Sequence, residues 1–265
     1  MYSVNYHRAI SVTEAVNRVK GTEGRFLSGG MTLLPAMKTR LSSPSEVVDL
    51  AHISELRGVK VANGTVTIGA ITTHAEVATD PALKGAVPAV SYLAGHIGDP
   101  HVRNKGTIGG SIANNDPAAD YPAALLALAA TIVTDRREIA ADDFFTGLFE
   151  TALEEAEMVT AVRFGVPDKS GYAKFPNPAS RYAITGVFVA QGAGGVRVAV
   201  TGAGENGVFR ASEIEAALAK NFDPSALDGI KVPSDGLMGD IHASPEYRAN
   251  LISVMAKRAV AQANG

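Results

Sequence analysis

Ile97-Gly98-Asp99-Pro100-His101-Val102-Arg103-Asn104-Lys105-Gly106-Thr107-Ile108-Gly109-Gly110-Ser111 is the run that decides how this chain is read. It ends in paired glycines flanked by hydroxyl side chains, with Arg103 and Lys105 just upstream. Consecutive glycines let a backbone approach a ligand closely, and their N–H groups can converge on an anion. Ser28-Gly29-Gly30-Met31-Thr32, nearer the N-terminus, has the same design. Taken singly, a glycine pair at a strand end is usually a turn. Two such runs with matching hydroxyls point to phosphate binding. Together they could grip the two phosphates of a dinucleotide from opposite sides.

The flanking sequence supplies the scaffold. Thr13 to Val19 has helical spacing, with Thr13 as its N-cap. Arg25-Phe26-Leu27 reads as a short strand leading into the first run, Leu33 to Met37 as a helix leaving it, and Glu46 to Leu50 as another strand. Val59 to Ile68 is a hairpin, because two alternating segments flank Asn63-Gly64, a pair suited to a type I′ turn. Thr73 caps a helix through Val77, and Pro88 to Leu93 is helical. Gly95 to Asp120 reads as one long glycine-punctuated loop. Tyr121 to Ala130, almost without polar residues, is a buried helix with Pro122 in its first turn. Thr131-Ile132-Val133 and Met158 to Phe164 are strands. Loop formers at Pro167 to Gly171 mark a domain boundary. Beyond it lie a hairpin (Gly186–Gln191 and Val196–Thr201), an amphipathic helix (Ala211–Lys220, with Ile214, Ala217 and Leu218 on one face) and a closing helix (Tyr247–Ala263). The alternation is that of an α+β protein of at least two domains.

Composition narrows the function. The chain has 265 residues, 46% hydrophobic and 19% charged, with a net charge of −3, which favours a folded protein over a disordered one. It has no cysteine, so it forms no disulfide, ligates no iron–sulfur cluster through thiolates and has no cysteine nucleophile. The near-neutral charge gives no reason to expect nucleic acid. No apolar run is long enough to span a bilayer, and the N-terminus lacks a secretory pattern.

Gly202-Ala203-Gly204-Glu205-Asn206-Gly207 matches the dinucleotide fingerprint G-x-G-x-x-G, yet too little chain follows it for a nucleotide-binding sheet, and Glu205 would repel a pyrophosphate. It reads as a turn. Asp120 or Asp116, in Asn114-Asn115-Asp116-Pro117-Ala118-Ala119-Asp120, would cap the buried helix; Asp120 could also hold ribose hydroxyls. The histidines His7, His52, His74, His96, His101 and His242 have no metal-ligand spacing; His96 and His101 precede the second glycine run. Glu154-Glu155 and Asp142-Asp143 read as solvated faces or caps. No catalytic acid, base or nucleophile stands out.

Ser28 to Pro35 resembles the first flavin loop of the FAD-binding, or medium, subunit of the molybdenum hydroxylases, most nearly that of aerobic carbon monoxide dehydrogenase; xanthine dehydrogenase carries a related FAD domain. Ile97 to Ser111 is similar to the family's second loop, Asn114 to Leu128 continues the match, and Tyr172 to Phe175 with Ser180 to Ala183 resembles the start of its C-terminal domain. The resemblance implies a two-subdomain FAD-binding fold of the vanillyl-alcohol-oxidase (PCMH) type plus a C-terminal α+β domain, divided as 1–55, 56–168 and 169–265. It implies FAD here and a molybdenum cofactor and [2Fe–2S] clusters in a large and a small partner subunit, in a dimer of heterotrimers. It further implies a cytoplasmic enzyme, with any membrane association through partners. Electrons would pass from the clusters through FAD to an external acceptor. Ser28, Gly29, Gly30, Met31, Thr32 and Leu33, with Thr107, Ile108, Gly109, Gly110 and Ser111, would hold the pyrophosphate through N–H and hydroxyl groups. Asn114 extends the second loop; Asp120 would lie near the adenosine, Val159 near the adenine or flavin, Lys174 would reach FAD from the third domain, and Tyr182 would line the isoalloxazine. Met31-Thr32 departs from the usual polar residue and serine, though Thr32 keeps a hydroxyl; Pro176 and Pro178 stiffen the Lys174 region. A β-branched residue at Gly109 or Gly110 is expected to abolish FAD retention with the fold intact. A stand-alone flavin oxidase of the same fold and a scaffold subunit that has lost its flavin are the competing readings.

Overall fold

Each sheet draws its strands from one stretch of the chain, in a computed structural model describing residues 1–265. β1 (Asn5–Arg8), β2 (Arg25–Leu27) and β3 (Glu46–Asp49) form a parallel sheet in the order β1-β3-β2. Parallel neighbours require crossovers, and the helices Val12–Val19 and Leu33–Lys38 supply them. Ser11 caps the first, accepting from the Glu14 amide, so the cap stands two residues before the Thr13 expected from the sequence. Ala15 and Val19 of this helix are buried against Val48 and Leu50.

β4 (Val59–Ala62), β5 (Thr65–Gly69), β6 (Thr131–Thr134), β7 (Glu138–Ala140) and β10 (Val159–Gly165) form an antiparallel sheet in the order β4-β5-β10-β6-β7. Asn63 and Gly64 both have positive φ (52° and 71°), the type I′ turn the dipeptide predicts. A short ribbon of β8 (Phe145–Gly147) and β9 (Glu150–Thr151) interrupts the order. The helix Tyr121–Ala127 is buried along its whole length, as its lack of polar residues demands.

The expected loop over Gly95–Asp120 instead holds two helices, at Pro100–Arg103 and Ile108–Asn114. Asp99 and Thr107 cap them by accepting from the Val102 and Gly110 amides. Glycine composition concealed the second helix; Ile108 and Ile112, four residues apart and fully buried, pin it to the core.

β11 (Lys169–Pro176), β12 (Ala183–Gly192), β13 (Gly195–Thr201) and β14 (Phe209–Arg210) make the last antiparallel sheet. The helix Pro245–Ala263 packs on it so closely that a Cβ on Gly171 would lie 2.0 Å from the Ala259 carbonyl oxygen. β12 is buried from Ala183 to Ala190, between that helix and Tyr121–Ala127. Gly202–Gly207 is a turn: the Gly202 amide donates to the Pro117 carbonyl and the Gly202 carbonyl accepts from Arg248. No helix is long and apolar enough to cross a membrane.

Candidate cofactor site

The first glycine run leaves β2 and enters the helix Leu33–Lys38. No backbone carbonyl accepts from the N–H groups of Ser28 through Leu33. Gly30 takes a positive φ of 71°. Such a series of unspent donors is a nest for an anion. The loop is also locked against the second one. The Ser28 and Thr107 hydroxyls are 2.8 Å apart, and a Cβ on Gly29 would stand 2.0 Å from the Lys105 carbonyl oxygen. Only glycine permits that approach.

The second run is built differently. Its Ile108 and Gly109 amides donate to the Thr72 and Ala70 carbonyls, that of Gly110 to the Thr107 hydroxyl and that of Ser111 to the Thr107 carbonyl. The expectation that these amides grip phosphate is corrected here: Ile108 and Gly109 spend theirs on the Ala70–Thr72 segment, and Gly110 and Ser111 spend theirs on Thr107 at the helix cap. What this loop offers is the Thr107 amide and the Thr107 and Ser111 hydroxyls. Gly109 serves packing, since its Cβ would lie 2.6 Å from the Ala70 Cβ.

The loops border a cavity of ≈ 870 Å³, within the range of small-molecule and cofactor sites. Ser28–Leu33, Thr107, Gly109–Ser111, Asn114, Asp120, Val159 and Tyr182 all line it. Two expected residues do not. Ile108 is fully buried in the core. Lys174 stands behind the wall, with its ammonium 3.0 Å from Asp120 Oδ1 and 2.8 Å from the His96 carbonyl oxygen.

The cavity has two unlike ends. Val19, Phe26, Leu50, Met158 and Val159 line one, where the N-terminal core meets the Glu154–Glu157 turn. Glu154 and Glu155, read from sequence as solvated or capping, are on its rim. Burial would push the Glu157 carboxyl up, but Arg137, which pairs with both of its oxygens, the Glu154 amide and the Thr134 hydroxyl hold it down to about 2. Asp116, Asp120, Ile97 and Tyr182 line the other end. Asp120 and Tyr182, expected at opposite ends of a dinucleotide, therefore stand together. Burial, then Asp116 and Asp120, push the Tyr182 phenol up. Asp120 makes no cap bond to the helix it precedes. Its carboxylate turns instead to Tyr172 and Lys174, and burial pushes it up against the pull of both.

Sequence reasoning missed His74. The Thr73–Glu76 capping box sets it at the start of the helix His74–Thr79. There it is buried, lines the cavity and meets the Tyr121 hydroxyl at 3.3 Å. Burial, then Arg103, lowers its pKa to about 4, so the ring is neutral at pH 7. Only the capping box, which places the residue without revealing its neighbours, could have signalled it.

Unspent donors beside hydroxyls, in a cleft of this size, fit a pyrophosphate-bearing dinucleotide. Comparison with known proteins agrees. Residues 2–167 match the family described as the FAD binding domain in molybdopterin dehydrogenase. The carbon monoxide dehydrogenase medium chain of Hydrogenophaga pseudoflava is 33% identical over 276 residues, covering 96% of this chain and 95% of its own. The glyceraldehyde dehydrogenase medium chain of Sulfolobus acidocaldarius is 34% identical over 275 residues, covering 96% of each. A structure of carbon monoxide dehydrogenase from Oligotropha carboxidovorans matches with a TM-score of 0.87 at 32% identity, over 99% of this chain and 98% of that one. The chain belongs to the FAD-binding domains of the molybdopterin dehydrogenases, the medium-subunit class of heteromeric molybdenum hydroxylases. Its relatives are medium subunits, which implies a large and a small partner.

Proposed function

We propose that this chain binds FAD and relays electrons from the [2Fe–2S] clusters of a small partner subunit to an external acceptor, while a large subunit holds the molybdenum cofactor and oxidises the substrate. The observation that carries this reading is the nest of unspent amides at Ser28–Leu33, locked by Ser28 and Gly29 against the Lys105–Thr107 segment at the edge of the cavity. FAD supplies the redox chemistry when bound; the chain supplies binding, orientation and electrostatics. Ser28–Leu33 hold the pyrophosphate by amides, and Thr107 and Ser111 by hydroxyls. The isoalloxazine takes the end at Asp120 and Tyr182, where a half-buried aromatic ring stands at the mouth and electrons have a short way out. The adenosine takes the end at Val159. The absence of cysteine supports placing the clusters in a partner.

The proposal includes the division into 1–55, 56–168 and 169–265, supported by sheets that each draw on one of these segments. It also includes a dimer of heterotrimers, cytoplasmic, with any membrane association through partners. The test is purification from the native source. A yellow complex with one FAD per copy of this chain, two further subunits, molybdenum and iron is expected. A yellow chain that turns over alone would make it a stand-alone oxidase. A colourless chain that takes up no added FAD yet assembles would make it a scaffold.

A further inference from the structure

The wall behind Asp120 is built by the third sheet, and it is unusually specific. Tyr172 and Lys174 sit two apart on β11, so they face the same way. Both reach Asp120: the Tyr172 hydroxyl donates to Oδ1, and the Lys174 ammonium lies 3.0 Å from Oδ1 and 3.2 Å from Oδ2. All three side chains are shut away from solvent, Tyr172 at 1% exposure, Asp120 at 4% and the Lys174 side chain at 7%. The backbone leading to Asp120 is held from the same sheet. The Thr201 hydroxyl donates to the Pro117 and Ala119 carbonyls, and the Gly202 amide donates to Pro117.

A second feature shows that the tyrosine hydroxyl has been given room. Gly186 lies in the middle of β12, paired with Lys174. Glycine weakens a strand interior and marks a place where something else needs the space. A Cβ on Gly186 would come within 2.6 Å of the Tyr172 hydroxyl oxygen.

A carboxylate has about four acceptor positions on two oxygens. Tyr172 and Lys174 approach from the protein side, Asp120 makes no bond to its own helix, and the residue lines the cavity. Acceptor capacity therefore remains on Asp120, a residue of the cavity lining.

We infer that Tyr172 is a positioning residue of the cofactor site: its hydroxyl, admitted by Gly186 and acting with Lys174, fixes the Asp120 carboxyl within the cavity lining, where it accepts a hydrogen bond from the flavin half of FAD. This rests on the FAD reading above. It makes the third sheet part of the binding site, although none of Tyr172, Lys174 and Gly186 touches the cavity. An interdomain staple with no role in binding would use the same three side chains, so the test must separate the two.

The full chain is stripped of flavin and titrated with FAD and with ADP, which has the pyrophosphate and adenosine but no flavin. Tyr172→Phe is expected to weaken FAD by about tenfold, the worth of a hydrogen bond to a charged group, and to leave ADP unchanged. Gly186→Ala, which crowds the hydroxyl while keeping it, is expected to give the same selective loss. The visible absorption band of the bound flavin shifts in both. Equal weakening of FAD and ADP, or no weakening of either, would overturn the inference while leaving the FAD reading intact. Failure of the unaltered chain to bind FAD would overturn both.

Discussion

Ser28–Thr32 and Thr107–Ser111 look alike as sequence and differ as structure. Each has paired glycines between hydroxyl residues. In the first, the backbone amides are unspent and Gly29 makes room for the other loop. In the second, all amides but that of Thr107 are spent on the fold, and Gly109 makes room for Ala70. One loop keeps its amides unspent, and the other is tied into the fold. A glycine motif thus reports that a backbone must come close to something; whether that is a ligand, a loop or a strand depends on where its amides point.

Substitutions can break this contrast. The largest effect is expected from Gly29→Val, whose side chain would collide with the Lys105 carbonyl and push the loops apart. FAD affinity should fall by about a thousandfold, ~4 kcal/mol; a dissociation constant within a few-fold of the unaltered chain would sink the idea of interlocked loops. His74, packed against Gly106 at the entrance to the second loop, tests the support beneath it. Its pKa falls from 6.5 unfolded to about 4 folded. The unfolded chain therefore binds the extra proton between these values, and stability that is full above pH 6.5 is lost as pH falls to 4. The loss is roughly 3 kcal/mol. Urea titrations across this window should find that slope reduced in His74→Gln.

Gly109→Ala forces a Cβ against Ala70 and should remove roughly 2 kcal/mol of stability, lowering Tm by about 5 °C. This revises the expectation that substitutions at Gly109 and Gly110 are equivalent and spare the fold. Gly110→Ala has the smallest expected effect. Its Cβ meets only the Thr107 hydroxyl at 2.9 Å and Ser28 Cβ at 3.8 Å. Alanine also suits a helical turn, so stability should stay within about 0.5 kcal/mol while FAD affinity drops a few-fold. If the Gly109 and Gly110 variants behaved alike in both thermal melts and FAD titrations, the division of labour within the second loop would be wrong.

Much of the fold was legible. The Asn63-Gly64 hairpin, the buried helix from Tyr121 and the closing helix are where local pattern and packing agree. The helix Ile108–Asn114 was hidden because glycine disfavours helix locally, and only Ile108 and Ile112 in the core outweigh it. Ser28–Leu33 were legible as a run of backbone donors along one cavity, because donors adjacent in sequence remain adjacent in space. Lys174 pairs with Asp120 and does not line the cavity, which sequence could not show, because a long side chain can reach a ligand or a carboxylate equally well. His74 and Tyr172 were invisible, since each acts through a residue at least 47 positions away.

By itself, the chain of residues determined the α+β class, the two glycine runs and the lack of any thiolate for an iron–sulfur cluster. These follow from local composition and from backbone freedom at glycine. The tertiary structure alone decided which run keeps its amides unspent, and which end of the cavity Asp120 shares with Tyr182. It also decided that a tyrosine and a lysine from the third sheet stand behind that carboxylate. Hydrogen bonds are claimed by whichever partner packing brings within reach, and packing joins residues that sequence keeps far apart.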